Sequence, residues 1–143
     1  MMYKNELFAE RYSLIKKIGG GAFGDVWLAY DSETGINVAI KIYVRIDEQG
    51  VQDFKEEFKL TFTLNHTNLL HANYFSVYKE QPFLVMPYCE NGSLASYVGE
   101  IQDEKKVWGY VRDIAKGLEY LHERDIIHQD IKPNNILIDS NGI

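Results

Sequence analysis

The sequence has one cysteine, no long apolar run and no surplus of cations. Cys89 stands alone among 143 residues, so no disulfide can close within the chain, which suits a reducing cytosol. No apolar stretch approaches the ~18 residues of a membrane span, and Met1–Glu10 lacks the apolar core of a secretory signal. The formal net charge of −6 argues against a broad nucleic-acid footprint. An anionic ligand needs a locally placed cation. There is no internal repeat and no low-complexity tract. Hydrophobic residues at 45% and charged residues at 25% match a globular composition, and the length fits one compact domain or part of a larger one.

Alternation and turn signals divide the chain. Tyr12–Ile18 and Val26–Tyr30 read as strands flanking a glycine-rich turn, and Ser32-Glu33-Thr34-Gly35 signals another turn. Ile36–Tyr43 is a third strand, with Val38, Ile40 and Ile42 on one face and Ala39 and Lys41 on the other. Val51, Phe54, Phe58 and Phe62 step by three, four and four, which predicts a helix over roughly 51–65. Asn73–Tyr78 and Phe83–Met86 are two further strands, joined through Lys79-Glu80-Gln81-Pro82. From Gly92-Ser93 the pattern turns helical. Val107, Val111, Ile114, Leu118 and Leu121 form an amphipathic stripe on a helix over about 104–124. A polar loop at 128–135, a short strand Ile136–Ile138 and the turn Asp139-Ser140-Asn141-Gly142 follow.

Gly19-Gly20-Gly21-Ala22-Phe23-Gly24-Asp25-Val26 has the form G-x-G-x-x-G-x-V. Glycines let a backbone approach phosphates and expose N–H donors. Alone, the pattern also fits an ordinary glycine-rich hairpin. Its context is strand to strand, whereas a dinucleotide fingerprint leads into a helix, and Asp25 stands where a Walker loop needs lysine. Fifteen residues past Val26 comes Lys41, within Val38-Ala39-Ile40-Lys41. A lysine in mid-strand beside Ala39 calls for an acidic or anionic partner.

These residues resemble the protein kinase family. The resemblance implies an α+β, protein-kinase-like fold, with a five-stranded antiparallel N-lobe sheet and one helix, then a partial helical C-lobe. It implies an N-terminal extension at 1–11, an N-lobe at 12–88, and a hinge with partial C-lobe at 89–143. Lys41 then holds the α- and β-phosphates of ATP and pairs with a helix glutamate. Glu57, sixteen residues on and ahead of Asn65-His66-Thr67-Asn68-Leu69-Leu70, is the preferred partner. Glu56 is its competitor, rotated by ~100° on the helix.

His128-Gln129-Asp130-Ile131-Lys132-Pro133-Asn134-Asn135 resembles the family's H-R-D-x-K-P-x-N loop. Asp130 is then the base that orients a substrate hydroxyl, Lys132 neutralises the γ-phosphoryl group, and Asn135 holds Mg2+. Lys132-Pro133 resembles the Ser/Thr class, which implies a protein substrate bearing Ser or Thr. Gln129 replaces the arginine that pairs with a phosphorylated activation loop, so the parent kinase is expected not to be switched on through that contact. Phe83–Leu94 resembles the hinge: Met86 limits the back of the adenine pocket, and the backbones of Pro87 and Cys89 bond the adenine edge. Ile18, Val26, Ala39 and Leu137 sandwich the ring, and Gly19, Gly20, Gly21, Ala22, Phe23 and Gly24 cover the phosphates.

No Asp-Phe-Gly follows Asn135, and the sequence stops at Ile143 with the returning strand of a turn unwritten. That reads as truncation, so these 143 residues are expected to lack useful phosphoryl transfer. The stripe at 107–121 should also be left without its packing partner. Burying five such side chains contributes about 7–15 kcal/mol as an upper bound, so self-association through it is expected. Competing readings are a pseudokinase-like binding module and a small-molecule phosphotransferase of the same superfamily. His122 and His128, without further Cys or His nearby, give no zinc pattern.

Overall fold

The computed structural model describes residues 6–20, 24–44, 47–99, 103–126, 136–139 and 141–143, and not the side chains of Glu57, Leu60 and Thr61. Two compact units form: Met1–Asn65 with Leu70–Tyr88, and His66–Leu69 with Cys89–Ile143.

In the first unit the strands are β1 (Leu7–Phe8), β2 (Tyr12–Gly20), β3 (Gly24–Asp31), β4 (Ile36–Tyr43), β5 (Tyr74–Tyr78) and β6 (Gln81–Pro87). They form one antiparallel sheet in the order β1-β2-β3-β4-β6-β5. The five expected strands are present, and the two-residue β1 adds a sixth at one edge. Helix α1 (Glu48–Thr63) joins β4 to β5. It starts earlier than the apolar stripe suggests because Asp47 caps it, accepting a hydrogen bond from the Gly50 N–H at 2.8 Å.

The alternation in β4 sorts side chains as expected, and both faces are covered. Val38, Ile40 and Ile42 join Phe8, Tyr12, Leu14, Trp27, Ala29, Phe83 and Val85 in one cluster. Ala39 and Tyr43 join Phe54, Ala72, Leu84 and Met86 in the other, where Phe54 brings in α1. The sheet curls, because Phe8 of β1 packs edge-on against Tyr78 of β5 and Phe83 of β6, with ring centroids 5.1 and 5.0 Å apart.

A buried ion pair closes the same side. Asp31 is 2% exposed. It accepts from Arg11 Nε and Nη2, both at 2.8 Å, from Thr34 Oγ1 at 2.8 Å and from the Glu33 N–H at 3.0 Å. The hydrogen bond from Arg11 holds the Asp31 carboxyl well below the usual carboxylate range, against the opposing effect of burial. Burial pushes the neighbouring Tyr12 phenol up to about 12.

The β5–β6 connection is tighter than expected. Gln81 and Pro82 belong to β6, and only Lys79 and Glu80 turn, both with positive φ (49° and 67°). That is the backbone of a two-residue hairpin, which favours Asn-Gly.

In the second unit, α2 (Glu104–His122) begins at the cap Asp103, whose side chain accepts from the Lys105 N–H. Its stripe is graded: Leu121 is buried, whereas Val107 and Val111 are exposed. The turn His66–Leu69 lies against α2 at Gly117, where an added Cβ would sit 3.0 Å from the Asn68 carbonyl oxygen. The expected strand at 136–138 is reduced to one bridge, Leu137 with Ser93. The Asp139 carboxylate accepts from the N–H groups of Asn141 and Ile143, and so holds the expected turn. Among the described residues, no helix is long and apolar enough to cross a membrane.

Candidate functional site

The sheet places several expected site residues in adjacent rows. Val26 of β3 lies opposite Lys41 of β4, which lies opposite Leu84 of β6. One row over, Leu28 lies opposite Ala39, which lies opposite Met86. Directly opposed residues project from the same face, so Val26, Ala39, Lys41 and Met86 share one. It is the face on which α1 packs, since Phe54 sits with Ala39, Leu84 and Met86. Leu28 and Leu84 complete the rows and were not singled out in the sequence, although strand alternation could have found them.

This face is apolar along Ala39 and Met86 and carries an ammonium two residues further along β4, ~7 Å away. Lys41 is half-buried, with Nζ 5.2 Å from the Tyr43 ring centroid. The face thus joins an apolar strip, buried at Ala39 and Met86, to a cation at one end. Residue 57 lies within α1, between Phe54 and Phe58. Glu56 is exposed and accepts from Gln52 Nε2 at 3.0 Å.

The glycine-rich turn keeps its strand pairing up to its tip, with Gly19 opposite Val26 and Gly20 opposite Asp25. Gly24 serves the sheet directly. A Cβ there would lie 2.6 Å from the Ile42 carbonyl oxygen, so only glycine lets β3 approach β4 at that point. At Gly19 an added Cβ would meet Val26 at an ordinary 3.6 Å. An ion pair not foreseen from the sequence, Lys17 Nζ to Asp25 Oδ1 at 3.0 Å, ties the two strands at the base of the turn. Ile18 is exposed, Met86 is buried in the sheet, and the exposed Pro87 ends β6 opposite Val38.

In the second unit, Cys89 is half-buried, and its backbone carbonyl accepts from the Gly92 N–H at 3.1 Å. Burial, then the charge of Asp139, pushes its thiol up, so Cys89 is a neutral small side chain and not a poised thiolate. Leu137 is exposed beside its bridge to Ser93. Gly21, Ala22, Phe23, Asp130, Lys132 and Asn135 lie outside the described residues, as does the side chain of Glu57.

The protein kinase domain family model matches residues 12–143. The chain belongs to the protein kinase domain family. This kinase chain is 39% identical over 132 residues to the MAP kinase kinase kinase SSK2 of Saccharomyces cerevisiae, covering 88% of the chain and 8% of that protein. It is 39% identical over 132 residues to the serine/threonine-protein kinase SSK22 of the same yeast, covering 88% of the chain and 10% of that protein. It is also 40% identical over 129 residues to the calcium/calmodulin-regulated receptor-like kinase 1 of Arabidopsis thaliana, covering 85% of the chain and 29% of that protein. The kinase chain thus spans less than a third of the length of these relatives. The match and the Ser/Thr kinase relatives agree with the resemblance read from the motifs, and the curled antiparallel sheet with its helix is the kinase-like architecture expected.

Proposed function

We propose that the chain is the nucleotide-binding part of an ATP-dependent protein kinase that phosphorylates Ser or Thr hydroxyls. The carrying observation is the shared face of Val26, Ala39, Lys41 and Met86. Ala39, small and centred in its row between Leu28 and Met86, is the residue type that a ring lying on this face requires. Lys41 supplies a positive charge on this face, and Glu57 holds its ammonium in place. Bound ATP with Mg2+ supplies the transferable phosphoryl group. Asp130 orients the substrate hydroxyl and takes its proton, Lys132 offsets charge on the transferred group, and Asn135 is a metal ligand. Positioning and charge stabilisation are what phosphoryl transfer demands of a protein.

We propose further that these 143 residues, within which no Asp-Phe-Gly follows Asn135, bind nucleotide without efficient transfer. They self-associate and work in a reducing, cytosolic setting. Labelling with a lysine-reactive acyl-phosphate derivative of ATP tests the site. Modification at Lys41 that unmodified ATP suppresses supports the reading. Modification spread over surface lysines such as Lys55 and Lys59, indifferent to ATP, counts against it.

A further inference from the structure

The two edges of the sheet are built differently. On one side the two-residue β1 covers the start of β2, and beyond it β2 carries Lys16 and Lys17 and two irregularities, at Leu14/Lys16 and Lys17/Gly19. Charges, bulges and short strands are devices that keep an edge from pairing with another chain. On the other side, β5 has none of them. Its sequence, Tyr74-Phe75-Ser76-Val77-Tyr78, has no charge, proline or glycine, and its pairing with β6 is regular. Tyr74, Phe75 and Val77 are 43%, 41% and 59% exposed.

The backbone register says what this edge offers. The two-residue hairpin closes on Tyr78 opposite Gln81, a hydrogen-bonded pair. Bonded and non-bonded pairs alternate along an antiparallel ladder, so Ser76 with Phe83 is bonded, while Val77 with Pro82 and Phe75 with Leu84 are not. Pro82, which has no N–H, fits its non-bonded position. Phe75 and Val77 therefore turn their N–H and C=O groups to the open edge. Among the described residues, neither makes a backbone hydrogen bond there.

We infer that β5 is a self-pairing edge, joining two copies of this chain antiparallel about a two-fold axis at Ser76. The occupant is a second copy because the strand complements itself when reversed. With the axis at Ser76, Phe75 faces Val77 of the second copy, and Val77 faces its Phe75. Those are the residues whose backbone groups point outward, so all four N–H and C=O pairs close. Tyr74 then faces Tyr78 of the second copy, and Ser76 faces Ser76. Aromatic and β-branched pairs of this kind favour sheet formation, and a two-fold contact of one patch with itself closes without propagating. A shift by one residue places outward groups against inward ones, and a shift by two pairs Val77 with itself and carries Phe75 onto Lys79 in the hairpin turn, beyond the strand. This deepens the proposed self-association and locates it on β5, whereas the stripe of α2 is the other surface open to it.

Sedimentation velocity on the 143-residue chain over a concentration series tests this. A dimer is expected, tightening with added salt because each copy carries a net charge of −6. Val77→Pro removes an outward N–H without touching the β5–β6 ladder, and Val77→Lys adds a charge to the edge strand. Each should weaken the dimer about ten-fold or more with the melting temperature of the monomer held. Trp108→Ser on α2 should leave it intact. Ser76→Cys in a Cys89→Ser background reads the register, because facing Cα atoms in a non-bonded pair stand ~4.5 Å apart, within disulfide reach. Oxidation should give a covalent dimer from Ser76→Cys and none from Tyr74→Cys. A monomer at high concentration overturns the inference, as does a dimer that survives both Val77 variants or one that Trp108→Ser abolishes.

Discussion

Replacing Asp31 with asparagine keeps the shape of the buried side chain and removes only its charge. The carboxylate accepts four hydrogen bonds within 2.8–3.0 Å, two of them from the Arg11 guanidinium. A hydrogen bond to a charged group contributes about 1.5–3 kcal/mol, and breaking a buried pair costs about 3–5 kcal/mol. The loss is smaller here. The Arg11 side chain is one quarter exposed, keeps Glu33 Oε2 at 3.2 Å, and lies over the Tyr12 and Tyr74 rings. The expected destabilisation is therefore about 2–3 kcal/mol, or roughly 10 °C in melting temperature for a chain of this size. The pH dependence has a fixed sign. The Asp31 pKa is lower in the folded protein than in the unfolded chain, so its contribution is complete above the unfolded value and is lost as pH falls through the folded one. Urea unfolding of wild type and Asp31→Asn should differ by a constant amount from neutral pH to about pH 5, and the difference should shrink below about pH 4. A neutral-pH difference under about 0.5 kcal/mol, or one that widens on acidification, refutes the argument.

Gly24→Ala and Gly19→Ala should separate the two roles of the glycine-rich turn. The first forces a Cβ to 2.6 Å from the Ile42 carbonyl oxygen and should cost about 2–3 kcal/mol by denaturant unfolding. The second meets only Val26 at 3.6 Å and should cost less than about 1 kcal/mol. Lys79→Asn with Glu80→Gly relieves two positive-φ residues and should raise stability by about 1 kcal/mol. Equal costs for the two glycine variants, or a destabilised hairpin variant, count against these local readings.

The sheet and its helix were legible because each buries a regular pattern. Val38, Ile40 and Ile42 alternate with Ala39 and Lys41, and Phe54 and Phe58 repeat at helical spacing. What escaped depended on long-range or atypical local chemistry. β1 is only Leu7–Phe8, followed by Ala9 and Glu10 at positive φ with no glycine or asparagine to mark the turn. Lys79-Glu80 hides a tight hairpin for the same reason. Asp31 looks like an ordinary turn residue until Arg11, twenty positions earlier, is brought against it. In the site, the motif residues Val26, Ala39, Lys41 and Met86 fell on one face because pairing in β3, β4 and β6 is in register. Leu28 and Leu84 carry no motif, and their place beside these residues follows from that register.

Thermal melting with and without Mg-ATP, for wild type and Lys41→Ala, tests the central claim most directly. Nucleotide at a hundred times its dissociation constant stabilises by ~2.7 kcal/mol, which moves the melting point by about 8–10 °C. Wild type should show such a rise above its nucleotide-free melting point, and Lys41→Ala should show none above its own. A rise of equal size in both proteins, or none in either, contradicts the assignment of this face to ATP.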